Sequence, residues 1–134
     1  MELKIEAVVN NVDKVTDFVN EQLEEMDCPM RAMTQIDIAL DELFSNICRY
    51  AYGDEVGYAT VSVRRAPQEN AVLITLEDEG IPFDPLAVEE PDTTLGIAER
   101  GIGGLGIFLV RKTMDDIAYE YKDGKNVLTI VKSF

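Results

Sequence analysis

The sequence predicts an α+β protein: a two-layer α/β sandwich in which a mixed, mostly antiparallel sheet carries its helices on one face. Three observations lead there. Helical periodicity occurs in few stretches, and the two long ones are consecutive near the N-terminus. The strand-like segments fall mostly in pairs joined by short turns, as hairpins do. The order that results, β-α-α-β-β-loop-α-β-β, places few helices against many hairpin-linked strands. With 134 residues and 46% apolar content, the chain reads as one domain, residues 1–134, able to bury a core without staples.

Element by element, Leu3, Ile5 and Ala7 alternate with polar residues, the mark of a strand with one buried face. Asn10 or Asn11 then offers an N-cap to a helix whose apolar set is Val12, Val15, Phe18, Val19, Leu23 and Met26. A second helix is expected from Pro29 at the first helical position, with Asp27 as cap. It buries Met33, Ile36, Leu40, Leu43, Phe44 and Ile47 and runs to about Tyr50, closed by Gly53 to Gly57. Strands are expected at Tyr58 to Arg64 and Ala71 to Glu77, joined by Ala66-Pro67-Gln68-Glu69-Asn70. Residues 78–106 hold three of the five prolines, between 82 and 91, and five of the nine glycines, between 96 and 106. An irregular stretch of that length in a compact domain reads as a functional loop or lid. A helix from about Leu105 to Met114, a strand at Ile117 to Tyr121, the turn Lys122-Asp123-Gly124-Lys125 and a strand at Val127 to Lys132 complete the chain.

Composition narrows the function. Twelve Lys+Arg against 26 Asp+Glu give a net charge of −14, which argues against nucleic acid as a partner because no basic surface of useful size is left. There is no histidine, so histidine base chemistry, ligation and autophosphorylation are excluded within this chain. The longest apolar runs are four residues, Ala71 to Ile74 and Ile107 to Val110, and the first twenty residues hold no apolar core of a signal peptide. The expectation is a cytoplasmic protein without membrane contact. Its two cysteines, Cys28 and Cys48, read as reduced thiols; on one helix they would lie about 30 Å apart, beyond bridging.

Three segments carry the residue types of a chemical site. In Asp41-Glu42-Leu43-Phe44-Ser45-Asn46, Glu42 and Asn46 are four apart on one helix face, so a carboxylate base and an oxygen ligand for Mg2+ sit one turn apart. The same segment also suits a solvated helix face. Glu77-Asp78-Glu79-Gly80-Ile81-Pro82-Phe83-Asp84 ends a strand; Asp78 can accept from an exocyclic amine, and Gly80 allows close approach of a ligand. An acidic turn is the alternative. Arg100-Gly101-Ile102-Gly103-Gly104-Leu105-Gly106-Ile107 leads into a helix, where converging backbone N–H groups and the helix dipole suit phosphate; a ligand-free glycine hinge suits it equally. No Lys-Ser/Thr pair follows, and no βαβ unit surrounds it, so neither standard nucleotide-loop fingerprint applies.

Together and in this order the three segments resemble the GHKL (Bergerat-fold, histidine-kinase-like) ATPases, and within them the small bacterial anti-sigma factors that are serine/threonine protein kinases. Glu42 to Asn46 with Tyr50-Ala51-Tyr52 is similar to the N-box, Asp78 to Pro85 to the G1 box, and Gly103 to Val110 to the G2 box. The resemblance implies ATP and Mg2+ as cofactors, with Asn46 ligating the metal and Asp78 accepting from adenine beside Gly80. It implies backbone donors to phosphate at Gly103, Gly104 and Gly106, help for adenine from Thr129 through water, and Glu42 as general base. Arg100 is the nearest cation to the glycine loop, placed to reach the terminal phosphate or a partner; a salt bridge to Glu99 or another acid of the loop suits it equally. The implied partners are a sigma factor and a small STAS-type antagonist that receives the phosphate, and the implied assembly is a homodimer. Tyr50 stands where these kinases often carry histidine. From that departure comes the second reading, an ATP-responsive binding module that switches a partner without phosphorylating it. Seven acids and one base between Asp78 and Arg100 make an unfavourable field for free nucleotide, so Mg-ATP is the expected species.

Overall fold

The computed structural model describes residues 1–66, 70–87 and 104–134, with Ala87, Gly104 and Leu105 described by backbone alone. The elements are β1 (Glu2–Glu6), a 3-10 turn (Val9–Asn11), α1 (Val12–Glu25), α2 (Met30–Tyr50), β2 (Tyr58–Ala66) and β3 (Ala71–Asp78). A second 3-10 turn (Pro85–Ala87), α3 (Gly104–Thr113), β4 (Asp116–Lys122) and β5 (Lys125–Ser133) follow. The five strands form one sheet in the order β1-β2-β3-β5-β4, and all four pairings are antiparallel. The α+β reading holds.

Strand alternation decides what faces the helices. Val61 and Val63 of β2, Val72, Ile74 and Leu76 of β3, and Leu128 and Ile130 of β5 are buried against Val15, Val19 and Leu23 of α1 and Ile36, Leu40, Leu43 and Phe44 of α2. Ile107 and Val110 bring α3 onto the same core. Each such side chain contributes about 1.5–3 kcal/mol when fully buried, which outweighs the modest helix propensity of the β-branched residues in α1. The opposite face of the sheet carries Thr60, Ser62, Thr75 and Thr129, none fully buried. No helix of the described residues is long and apolar enough to cross a membrane.

The helix starts differ from the sequence expectation. Asn11 occupies the N-cap of α1 at φ −94°, ψ 0°, and its side chain makes no cap bond. A side-chain cap needs extended backbone at that position; here the preceding 3-10 turn removes it, and the Asn11 amide donates to the Glu6 carbonyl at 3.0 Å. Pro29 is the N-cap of α2, not its first helical residue, with φ −60° and ψ 146°, and its carbonyl accepts from Met33 at 3.0 Å. Asp27 therefore caps nothing. It takes the left-handed position, φ 55°, of the tight turn leaving α1, where a short polar residue is tolerated. Cys28 thus lies in that turn outside α2; both thiols are free, and burial raises the pKa of each. The Lys122–Lys125 hairpin forms as expected, with Asp123 at φ 56° and Gly124 at φ 78°, the paired positive values of a two-residue hairpin turn.

Candidate active site

A cavity of about 40 Å3 opens between the C-terminal half of α2 and the adjacent ends of β3 and β5. Its walls are apolar, from Leu43, Ile47 and Leu76 to Phe83, Pro85 and Leu128, and it has polar groups at Asn46, Asp78, Tyr119 and Asn126. Apolar walls with few fixed polar groups are the lining of a small-molecule site, although the volume as it stands is far below the several hundred Å3 typical of one.

Asp78 is the last residue of β3, in phase with Leu76 and Ile74, so the period of the strand turns its carboxylate inward; it is 5% exposed. Its Oδ1 accepts from the Gly80 N–H at 2.9 Å and from Asn126 Nδ2 at 2.9 Å, while Oδ2 receives no bond from the described residues. Burial pushes its pKa above the usual carboxylate value, and the hydrogen bonds from Asn126 and Gly80 oppose that rise without cancelling it.

Asn46, four residues beyond Glu42 on α2, is 6% exposed, and its Oδ1 is buried with no hydrogen-bond partner among the described residues. A buried acceptor left empty costs about 1–3 kcal/mol, which a fold tolerates where a ligand fills it. Asn46 lines the cavity, and an amide oxygen is a hard donor suited to Mg2+. Among the described residues there is no group of three or more acidic or cysteine side chains able to hold a metal. That donor set fits a cation taking one protein oxygen and the rest from phosphate and water.

Glu42 is half-buried, and its carboxyl group lies against Gly106 in the first turn of α3: a Cβ on Gly106 would stand 1.9 Å from Glu42 Cδ. The fold therefore brings Glu42, Asn46, Asp78 and the start of α3, at Gly104, to one end of the molecule. Arg100 and Gly103 lie outside the described residues.

One sequence expectation changes, and one glycine shows a further role. At Gly80 a Cβ would lie 2.2 Å from the Ala51 carbonyl oxygen, which accepts from Ile81 N–H at 2.8 Å. Its bare Cα serves the packing of the end of α2 on the loop after β3. Thr129 is not brought to the cavity. It is three residues from Asn126 on β5, hence on the opposite face, where its hydroxyl meets that of Thr75 at 3.2 Å.

One residue missed from sequence, Asn126, joins the site, beside two tyrosines at and just after the end of α2. Asn126 pairs directly with Asp78 across β3 and β5; besides its bond to Asp78 it donates to the Ile81 carbonyl at 2.8 Å and accepts from Phe83 N–H at 3.0 Å and from the Tyr119 hydroxyl. A polar residue in phase with Leu128 and Ile130 was the available signal. Tyr52 accepts Glu79 N–H at 2.9 Å and donates to the Tyr58 carbonyl, tying the end of β3 to the segment after α2. Tyr50 is 40% exposed and stacks on Phe83, ring centroids 5.3 Å apart.

The histidine kinase-like ATPase domain family matches residues 5–132. A serine-protein kinase RsbW from Listeria innocua is 31% identical over 105 residues, covering 72% of this chain and 64% of that protein. The RsbW of a Bacillus thuringiensis strain is 30% identical over 95 residues, covering 68% and 58% respectively. The chain thus spans about three-fifths of the length of these relatives. Among solved structures, the RsbU and RsbW domains of Rv1364c from Mycobacterium tuberculosis superpose with a TM-score of 0.69 at 17% identity, covering 99% of this chain and 32% of that one. The histidine kinase AdeS of Acinetobacter baumannii gives 0.56 at 18% identity, covering 98% and 67%. At those identities the two structures speak for the fold.

Proposed function

The chain belongs to the histidine kinase-like ATPase domain family, and we propose that it is a Mg-ATP-dependent serine/threonine protein kinase acting as an anti-sigma factor. It phosphorylates a small STAS-type antagonist and sequesters a sigma factor, as one domain over residues 1–134 in the cytoplasm. The observation that carries this reading is the convergence of a buried carboxylate, Asp78, an unpartnered carboxamide oxygen on Asn46 and a carboxylate on Glu42 around one cavity and one helix start. The similarity to serine-protein kinases named RsbW supports the choice of a protein hydroxyl as acceptor.

In this reading Asp78 Oδ2 accepts from the adenine amino group, and Asn126 holds the carboxylate in place. Backbone N–H groups at Gly104 and Gly106 take phosphate oxygens, since the first turn of a helix leaves its donors free. Asn46 Oδ1 would hold Mg2+, whose contribution is neutralisation of phosphate charge. Glu42 takes the proton from the incoming Ser or Thr hydroxyl; the oxygen bonds to the γ-phosphorus, the bond from that phosphorus to the β–γ bridging oxygen breaks, and ADP departs. Positioning and charge neutralisation carry most of such a transfer, so no histidine is needed. Arg100 and Gly103 keep their proposed phosphate roles. A homodimer is part of the proposal; β1, at one edge of the sheet, offers an unpaired side for it.

Incubation with radiolabelled ATP and the cognate antagonist tests the reading. Label on the antagonist is expected. No label under conditions where nucleotide is bound overturns it. If partner affinity then changes equally with ATP and a non-hydrolysable analogue, the switching module without transfer is the correct function.

A further inference from the structure

Gly106 lies in the first turn of α3, and the glycines with positive φ among the described residues are Gly53 and Gly124. Its backbone therefore asks for no glycine, and within a helix glycine is destabilising relative to alanine. What it supplies is space. A Cβ on Gly106 would stand 1.9 Å from Cδ, 2.0 Å from Oε1 and 2.3 Å from Cγ of Glu42. All three atoms belong to the far end of one flexible side chain. A methyl at 106 would thus leave the helix backbone intact and drive the Glu42 carboxyl group to another rotamer. Gly80 differs: there the first obstacle is the backbone carbonyl of Ala51. The first turn of a helix also carries unpaired N–H groups and the positive end of the dipole, an environment that favours a carboxylate.

We propose that Gly106 is the positioning residue for Glu42: its bare Cα seats the carboxylate on the first turn of α3, so the turn that receives the phosphates also sets the base. The inference rests on the kinase reading for the role of Glu42, while the seat itself is a property of the nucleotide-free protein. Placement of the base then depends on the formation of that helical turn. Loss of the seat displaces the proton acceptor without removing a phosphate donor, because alanine keeps the backbone N–H.

A double-mutant cycle over Gly106→Ala and Glu42→Ala tests this, with thermal midpoint, Mg-ATP affinity and transfer rate measured for all four proteins. Truncation of Glu42 removes all three obstructing atoms. Gly106→Ala should raise the midpoint when residue 42 is alanine, as expected for a helical glycine, and should lose that gain or lower the midpoint when Glu42 is present. At saturating Mg-ATP, Gly106→Ala should slow transfer about a hundredfold, as expected for a displaced catalytic group, with affinity within about threefold of wild type. An equal change of midpoint in both backgrounds overturns the proposal, as does wild-type transfer by Gly106→Ala. Should Gly106→Ala not fold, a folded double variant supports the seat and an unfolded one overturns it. The midpoint cycle needs neither nucleotide nor partner, so absence of transfer by the wild type would remove the kinase reading while the coupling of Gly106 to Glu42 is still measured.

Discussion

Asn126 donates its side-chain amide to Asp78 Oδ1 at 2.9 Å, across an antiparallel pair in which the two residues stand directly opposite on β3 and β5. Both are buried, and the Asn126 carboxamide uses both of its N–H groups and accepts twice at its oxygen. One side chain thus ties the carboxylate to Ile81, Phe83 and Tyr119, which form the loop and strand around the cavity. A polar group this fully satisfied rigidifies its surroundings.

Replacing Asn126 with leucine should therefore be costly although it adds apolar surface. It leaves Phe83 N–H, the Tyr119 hydroxyl and the Ile81 carbonyl unpaired, all in part-buried bonds, and the expected loss is about 3 kcal/mol, three groups at the low end of roughly 1 kcal/mol each. Urea unfolding measures it. A loss below about 1 kcal/mol would show that water replaces the carboxamide freely.

Thr129→Val should leave nucleotide affinity within about twofold, because the hydroxyl faces Thr75 on the far side of the sheet, and stability within about 1 kcal/mol for one partly exposed hydrogen bond. Isothermal titration with Mg-ATP decides it. A tenfold loss of affinity would return Thr129 to the site.

Gly80→Ala should destabilise by about 3 kcal/mol or more, the upper range for overpacking, because the added carbon meets the Ala51 carbonyl at 2.2 Å and backbone yields little. Thermal unfolding without nucleotide is the measurement. An unchanged midpoint would mean that the loop after β3 shifts at little cost.

What was legible from sequence follows range of interaction. The Asp123-Gly124 hairpin and the alternating strands are local, set by backbone preference and a period of two, and they form as read. The expected start of α2, Pro29 as first helical residue capped by Asp27, shifts because the turn leaving α1 puts Asp27 in the left-handed region and Pro29 at the cap, a geometry no local signal carries. Glu42, Asn46 and Asp78 were legible as residue types at informative spacing. Asn126 was not, since its role depends on β5 lying beside β3, a pairing between residues 48 apart. Thr129, which the resemblance implied, stands an odd number of residues from Asn126 along β5, and that reverses the face on which its hydroxyl lies.

Asp78→Asn should separate stability from function. Burial raises the folded-state pKa of Asp78 above its unfolded value of about 3.9, so between those two values the native state holds more protons than the unfolded one. Stability contributed by this group is then full below the unfolded pKa and is lost as pH rises through the folded pKa. Asparagine keeps an acceptor for Gly80 and Asn126 and carries no charge to bury. The variant should equal or exceed wild type in stability at pH 7, with the advantage shrinking as pH falls toward 4, and should lose nucleotide binding. Chemical denaturation across pH 4–8 checks the sign; a variant less stable at neutral pH would contradict it.

Asn46→Ala and Glu42→Ala should part company when nucleotide-dependent stabilisation is measured. Asn46 Oδ1 is buried and unpartnered, so alanine at 46 removes an unmet acceptor, and the nucleotide-free protein should be no less stable for it. With ligand the order reverses. At a concentration one hundred times the dissociation constant, binding stabilises the native state by about 2.7 kcal/mol. A thirtyfold weaker affinity in Asn46→Ala reduces that to about 0.9 kcal/mol, a loss readable as a smaller thermal shift. Glu42→Ala, which removes a proton acceptor and no ligand to phosphate or metal, should keep nearly the whole shift while transfer falls to background. Equal shifts in the two variants would mean that Asn46 does not meet the Mg-ATP complex, and equal transfer would mean that Glu42 is not the base.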